Sequence, residues 1–588
     1  MARISHLDDN IVNKEKVFSE KPSPTVPMLE DVAKDEKLVI ITPANGGVGK
    51  ILVREDTILA NLQGCSGCGR GHFTCSGVKE QWSVLCWGKQ SEKKYYSLLV
   101  LLSTTFVLSM IGTVFFCFTN IIDDTILSNM VIRNNTLAFD MWRRPNVQPL
   151  MKVHLFNYTN VDQVRYGYEE KLHVEEVGPY VYAQQIERVN IHFDGDKLSY
   201  QEQNHFRYLP DKTVGAHFDK IIVPNLPLLG VVSKVVSSNL NSFAQGPLNL
   251  GLSFVDHPNA FLKLPVHRFL WGYEDNIINI AKPYLSLQGQ LKFDQFGLLV
   301  TRNGTVSERY TINTGEEDKD RMNIIEEIDG KDHLSFWGSS DCNSIAASDG
   351  TIFPPSQLDK KKTLHVFNTN LCRRLPFEYE KDVEIADGVQ LYRYRMPLNV
   401  FDDPKNNPEN QCYCEIDTPT CPPRGVINVT MCAMGAPALI SFPHFYLGDP
   451  KLREDITGLK PDPLRHDSFL DVHPTLGIAL SGKSNLQINI QVKKTPSFTS
   501  LGFLEEGLIL PVAWIEMAVE ELPEGLRTLV YHGTYSTAAA RLGLIVFCTI
   551  SFIGSGLCLL WTFVRRRQRP CVTLRKLPGG TELKGLSS

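Results

Sequence analysis

Two stretches of this chain hold no charged residue: Tyr95–Ile122, "YYSLLVLLSTTFVLSMIGTVFFCFTNII", and Leu542–Val564, "LGLIVFCTISFIGSGLCLLWTFV". The second has 23 positions; at about 1.5 Å per residue a helix of that length reaches roughly 35 Å, more than the ~30 Å hydrocarbon core of a bilayer. Core helices of soluble proteins rarely run so long uncharged. Both stretches predict membrane-spanning helices, and they cut the chain into a tail, a large middle and a second tail.

The flanking charges orient the spans. Lys93 and Lys94 precede the first, and Asp123 and Asp124 follow it; Arg565, Arg566, Arg567 and Arg569 follow the second. Positive charge beside a span stays on the cytosolic side, so both termini are expected in the cytosol and the middle outside or in a lumen. The N-x-S/T sequons agree, since Asn134, Asn157, Asn303 and Asn428 all fall between the spans. The first span reads as an anchor that is retained rather than a cleaved leader. The expected organisation is a largely disordered cytosolic tail at 1–94, a span at 95–122, a glycosylated, disulfide-bonded ectodomain at 123–540, a span at 541–564 and a cytosolic tail at 565–588.

Between the spans there are six cysteines, Cys342, Cys372, Cys412, Cys414, Cys421 and Cys432. An even, clustered set in an oxidising compartment reads as three disulfides, and the paired C-x2-C halves of a structural zinc site are missing. Fifteen pairings are open to six cysteines, and spacing does not choose among them. Net charge of −5 over 588 residues leaves no basic surplus for a nucleic-acid partner.

In the first tail, "KLVIITPANGGVGK" (Lys37–Lys50) imitates a phosphate loop. Ala44 replaces the first glycine and Ile51 the Mg²⁺-binding hydroxyl, so it reads as a glycine-rich turn. Cys65, Cys68, His72 and Cys75 are too closely spaced for a good zinc tetrahedron. Cys86 and Cys571, close to the membrane ends, are candidate palmitoylation sites. No metal and no cofactor is expected.

Within 123–540, "MKVHLFNYTN", "LHVEEVGPYVYAQQ", "QLYRYRMPLNVF" and "LQINIQVKK" alternate apolar and polar residues, rich in β-branched and aromatic side chains, and predict antiparallel strands. Residues 219–270 differ: "IIVPNLPLLGVVSKVVSSNLNSF" carries apolar residues at helical spacing and predicts a small helical insertion. Hydrolase and metalloprotease motifs are missing, so the chain is not expected to be an enzyme. "RHDSFLDVH" (Arg465–His473) gathers His466, Asp467, Asp471 and His473 and reads as a structural turn.

Six segments in order carry a resemblance to a known family: "LFNYTN" (155–160), "EEVGPYVY" (175–182), "LWGYEDN" (270–276), "CNSIAASDGTIFPP" (342–355), "MGAPALISFPHFYLGDP" (434–450) and "HDSFLDVHPTLG" (466–477). The chain resembles the class B scavenger receptors, which include fatty-acid translocase, lysosomal integral membrane proteins and sensory neuron membrane proteins. The resemblance spans about Tyr95 to Arg567. It implies the pairings Cys342–Cys412, Cys372–Cys432 and Cys414–Cys421. It also implies an α+β fold in which two transmembrane helices flank an ectodomain with an antiparallel β-barrel core, an apolar tunnel and a helical-bundle cap.

Residues 219–270 would be that cap, and its exposed leucines and valines the ligand-capture surface: Leu226, Leu228, Leu229, Val232, Lys234, Val235, Phe243, Phe261 and Lys263. The implied function is a plasma-membrane receptor that binds lipids, lipoproteins or lipid-bearing debris and passes lipid through the tunnel, with homo-oligomers compatible. The alternative is an endosomal or lysosomal receptor for a protein cargo, with His217, His257 and His267 as acid sensors. Two features depart from the family: the first tail is unusually long, and "GPLNLGLSFVDHPN" lacks the lysines linked to fatty-acid binding, leaving Lys234, Lys263 and Arg268 as the nearest cations.

Overall fold

The computed structural model describes residues 38–41, 51–54, 89–237, 259–279, 295–385, 388–414, 421–433, 435–495, 498–520 and 522–567. Cys86, Cys571, Phe243, His257 and the Cys65–Cys75 cluster lie outside them, as do residues 42–50 and 238–258. The chain divides into two compact units, Met1–Thr113 with Phe547–Ser588, and Val114–Val546.

In the first unit, strands β1 (Leu38–Ile41) and β2 (Ile51–Arg54) pair antiparallel. A phosphate loop would need a helix after the turn; a returning strand stands there instead. The helices Lys89–Phe118 and Thr537–Arg567 are long and apolar enough to cross a membrane. Their hydroxyls turn back onto the helix, as the Thr105 Oγ1–Leu101 and Ser109 Oγ–Thr105 carbonyl bonds show. A lipid-facing helix needs such bonds, because hydrocarbon offers its polar groups no partner. The helices touch where Phe106 stacks on Phe552 at 4.6 Å.

The second unit is built on one large sheet. Its strands in chain order are β3 (Leu150–Tyr158), β4 (Leu172–Asp194), β5 (Lys197–Tyr208), the separate hairpin β6 (Lys220–Pro224) and β7 (Phe261–Pro265), then β8 (Gly304–Thr305), β9 (Tyr310–Asn313) and β10 (Ile325–Ile328). They continue with β11 (Leu364–Asn368), β12 (Arg373–Glu384), β13 (Gln390–Arg395), β14 (Val426–Asn428), β15 (Ala438–Ser441), β16 (Ile456–Thr457), β17 (Phe469–Val472), β18 (Ala479–Gln491) and β19 (Ile509–Val519). The four alternating segments singled out above fall on β3, β4, β13 and β18.

The main path runs β10-β9-β5-β4-β3-β19-β18-β17-β13-β12-β11. Its two edges come together through one segment. Ala347 O accepts from Ile325 N at 2.9 Å, and Ser348 O accepts from Phe367 N at 2.9 Å. That bridge nearly closes the sheet into a barrel and removes the exposed edges an open sheet would carry.

Inside, Val153, Leu155, Tyr158, Val174, Leu510, Val512 and Trp514 form the largest apolar cluster, with the β6–β7 hairpin packed onto it. At the foot, Ile126 and Met130 of the helix Ile121–Met130 meet Leu526 and Val530 of the helix Glu524–Tyr531. Val519 leads into that helix, so the Ile509 end of β19 is the far end of the sheet. Strand β4 bends at Gly178 (φ 107°), where a Cβ would stand 2.7 Å from Val153 O. Only glycine fits, which explains the glycine of the "EEVGPYVY" segment.

Candidate functional site

The cap begins at the far end. Asn157 Oδ1 on β3 accepts from Ile222 N at 2.9 Å and ties β6 to the barrel. Buried Asn225 then fastens the helix Leu226–Ser237: its Oδ1 accepts from Leu228 N at 3.1 Å and its Nδ2 donates to Asn259 O at 2.9 Å. This is an N-cap that also locks the two arms of the hairpin.

The helix faces the other way from expectation. Leu228, Leu229 and Val232 are 0–1% exposed, and Phe261 is 6% exposed against Tyr158 at 4.9 Å. They form core and not a capture surface, because the apolar stripe of a helix this short is fully used in covering the barrel end. Leu226 and Lys234 are half-buried, Lys263 and Arg268 are exposed, and Val236 presents an apolar side chain outward. The Val235 side chain and Phe243 lie outside the description. Exposed aromatics that sequence reading missed are Tyr166 and Tyr168 after β3 and Phe218 before β6. They sit in polar loops where no periodicity marks them.

His217 and His267 come together, rings 5.5 Å apart. His217 lies flat on Tyr208 at 4.1 Å, and its Nε2 bonds Tyr182 Oη at 2.8 Å. Burial, with the neighbouring His267 charge, pushes its pKa down.

The disulfides join Cys342 to Cys412, Cys372 to Cys432 and Cys414 to Cys421, with Cα–Cα distances of 6.3, 6.1 and 4.7 Å. Trp337 Nε1 donates to Cys372 O at 2.8 Å, and the buried Arg373 guanidinium lies 3.9 Å from the Tyr413 ring centroid. Cys117, Cys548 and Cys558 are free thiols in the apolar helices.

Behind the cap lies a polar network that joins two of the resemblance segments, through Glu176 and His444, to residues flanking two others. Glu176 accepts from His154 Nδ1 at 2.8 Å, from His444 Nε2 at 2.7 Å and from Arg465 Nη2 at 2.5 Å. His444 Nδ1 accepts from Lys460 N at 3.0 Å, which fixes the neutral tautomer with the proton on Nε2. Burial would raise the Glu176 carboxyl, but the bonds from His154, His444 and Arg465 outweigh it and hold it well below the carboxylate range. Burial lowers His154, which stacks on Trp514 at 3.8 Å.

The four residues of "RHDSFLDVH" separate into different roles. Asp471 takes two bonds from Arg393, at 2.7 and 2.8 Å; Asp467 pairs with Arg395 at 2.8 Å. His466 stacks on His444 at 4.8 Å, and His473 Nε2 bonds Thr534 Oγ1 at 2.7 Å. Among the described residues no group of three or more His, Cys, Asp or Glu is placed to hold a metal. Of the sequons, Asn134 and Asn303 are exposed, whereas Asn157 and Asn428 are half-buried in strands.

A large disulfide-bonded, nearly closed barrel between two candidate spans defines the class: a membrane protein whose bulk is one extramembranous domain. Comparison narrows it. The model of the CD36 family matches residues 101–565. The chain is 32% identical over 400 residues to scavenger receptor class B member 1 of Cricetulus griseus, covering 68% of this chain and 76% of that one. It is likewise 32% identical over 429 residues to lysosome membrane protein 2 of Rattus norvegicus, covering 72% and 85%. The chain belongs to the CD36 family, a family of receptors and not of enzymes.

Proposed function

We propose that this chain is a cell-surface scavenger receptor that binds lipid or lipoprotein at the far end of its barrel and passes lipid through the domain to the membrane. The match to the CD36 family over residues 101–565, with scavenger receptor class B member 1 among the relatives, carries the reading. Apolar lipid leaving water gains roughly 25 cal/mol per Å² buried, so transfer down a gradient needs no chemistry. Both tails then lie in the cytosol and residues 123–540 outside, with Cys86 and Cys571 available for acylation. Capture falls to the outward Val236 side, the exposed Tyr166, Tyr168 and Phe218 and the cations Lys263 and Arg268.

The test is uptake by cells expressing the full chain, offered lipoprotein labelled in both its lipid and its protein. Lipid label entering in excess of protein label supports the conduit. A chain present at the surface with no excess over mock cells sinks it. The second reading, an endosomal or lysosomal receptor for a protein cargo, is favoured by the equal identity to lysosome membrane protein 2 and by the adjoining His217 and His267. Surface biotinylation against co-staining with a lysosomal marker separates the two.

A further inference from the structure

A cleft of about 300 Å³ opens on the outer face of the sheet where β4, β5 and the two-residue strand β8 lie side by side. Gln185 and Glu187 of β4, Gln203, Asn204 and His205 of β5, and the sequon residue Asn303 line it. The side chains that line it are polar, although carbon makes up half of the exposed lining surface. The Glu187 carboxylate is already paired with Arg144 at 2.6 Å, and the Asn204 amide oxygen accepts from Gln184 at 2.9 Å. The exposed side chains of Gln185, Gln203 and His205 make no hydrogen bond within the protein among the described residues. Such a surface has donors and acceptors beside apolar carbon, which suits a neutral, hydroxyl-rich ligand that also carries acetamido methyl groups.

The attachment point for that ligand is part of the wall. Asn303 is exposed, and Gly304 turns the chain there with φ 99°. The Asn303 Oδ1 accepts from Phe206 N at 3.3 Å, so the side-chain amide is held against β5. Glycosylation occupies only Nδ2, so this bond survives it. Beyond β8 the edge of β5 pairs with no further strand among the described residues, and an open sheet edge is a liability that proteins cover.

We propose that the N-glycan on Asn303 is held against the protein. Its first two N-acetylglucosamine rings lie in this cleft, with acetamido and hydroxyl groups bonded to Gln185, Gln203 and His205, and they shield the open edge of β5. The inference rests on the reading that residues 123–540 face a glycosylating lumen. Asn134, exposed in a turn outside the cleft, is the internal control for that reading.

The experiment is peptide N-glycosidase release from the native full chain, made in glycosylating cells and followed site by site by mass spectrometry. Release at Asn303 is expected at least tenfold slower than at Asn134, with the two rates equal after denaturation. The double variant Gln185→Ala, Gln203→Ala removes two exposed side chains and leaves the melting temperature unchanged. In it the Asn303 rate should rise to that of Asn134. Equal native rates at the two sites, or protection at Asn303 that the double variant does not relieve, overturn the cradle while leaving the topology standing. Glycan at neither site overturns both, and glycan at Asn134 alone overturns the cradle.

Discussion

Glu176 is the residue whose loss the barrel should feel most sharply. Replacing it with glutamine keeps the shape and removes the charge. The carboxylate accepts from His154, His444 and Arg465 at once. A glutamine offers one acceptor oxygen and turns an NH₂ toward one of those donors, leaving a buried imidazole N–H unpaired at a cost of about 1–3 kcal/mol. Arg465 also loses its counter-charge, but its side chain is 45% exposed and water replaces much of the interaction, so that share is at most about 1 kcal/mol. The sum, about 1–4 kcal/mol, corresponds to a fall in melting temperature of roughly 1–5 °C for a domain of this size. The assay is thermal unfolding of the detergent-solubilised full chain at neutral pH and one fixed scan rate, because unfolding of a large disulfide-bonded protein is read as a rate. Arg465→Gln should cost less than Glu176→Gln. An unchanged Glu176→Gln melt, or the reverse order of the two variants, refutes the assignment of the energy to the buried imidazoles.

Acid should weaken the fold through two other histidines. Burial first, with His444 and the Arg465 charge packed beside it, pushes His466 down to about 3, and burial pushes His473 down to about 4. Their folded pKa values lie below the unfolded 6.5, so the unfolded chain takes protons first; stability is full above 6.5 and falls by up to about 1.4 kcal/mol per pH unit for each histidine as pH drops toward those values. Melting temperatures at pH 7.5, 6 and 5 check this, and a flat profile refutes it. Gly178→Ala sets a Cβ 2.7 Å from Val153 O at φ 107°, and should cost about 2 kcal/mol or more, read as loss of folded chain at the surface. Asn157 is half-buried in β3, so glycopeptide mapping should find it unmodified, and because its Oδ1 holds Ile222 N, Asn157→Gln should lower stability by about 1 kcal/mol.

The strands were legible because apolar and polar residues alternate along them, even in β3, whose two faces are both largely buried. Met151–Asn160 and Leu486–Lys494 alternate as the pleat demands, and β3 and β18 lie there. The apolar helices were legible by length alone. The cap was half legible. Its helical spacing at Leu226–Ser237 was correct, but period cannot say which way an apolar stripe turns, and Leu228, Leu229 and Val232 turned inward. The Glu176 network was not legible, because its members stand as far as 311 positions apart and nothing in the sequence pairs one with another. The one signal was His444, a lone imidazole inside the run "ALISFPHFYLGDP", which has to be paired when buried.

The two halves of the far end are therefore held by different means. The barrel end is cross-tied by Glu176, His154, His444 and Arg465, residues from β4, β3 and the segments after β15 and β16, so a change in any one is felt by all. The cap is attached by a few backbone-directed amide bonds, Asn157 to Ile222 and Asn225 to Leu228 and Asn259, and by apolar contact that tolerates substitution of similar volume. Outward-facing cap residues such as Val236, Lys263 and Arg268 can change without disturbing the tie beneath them.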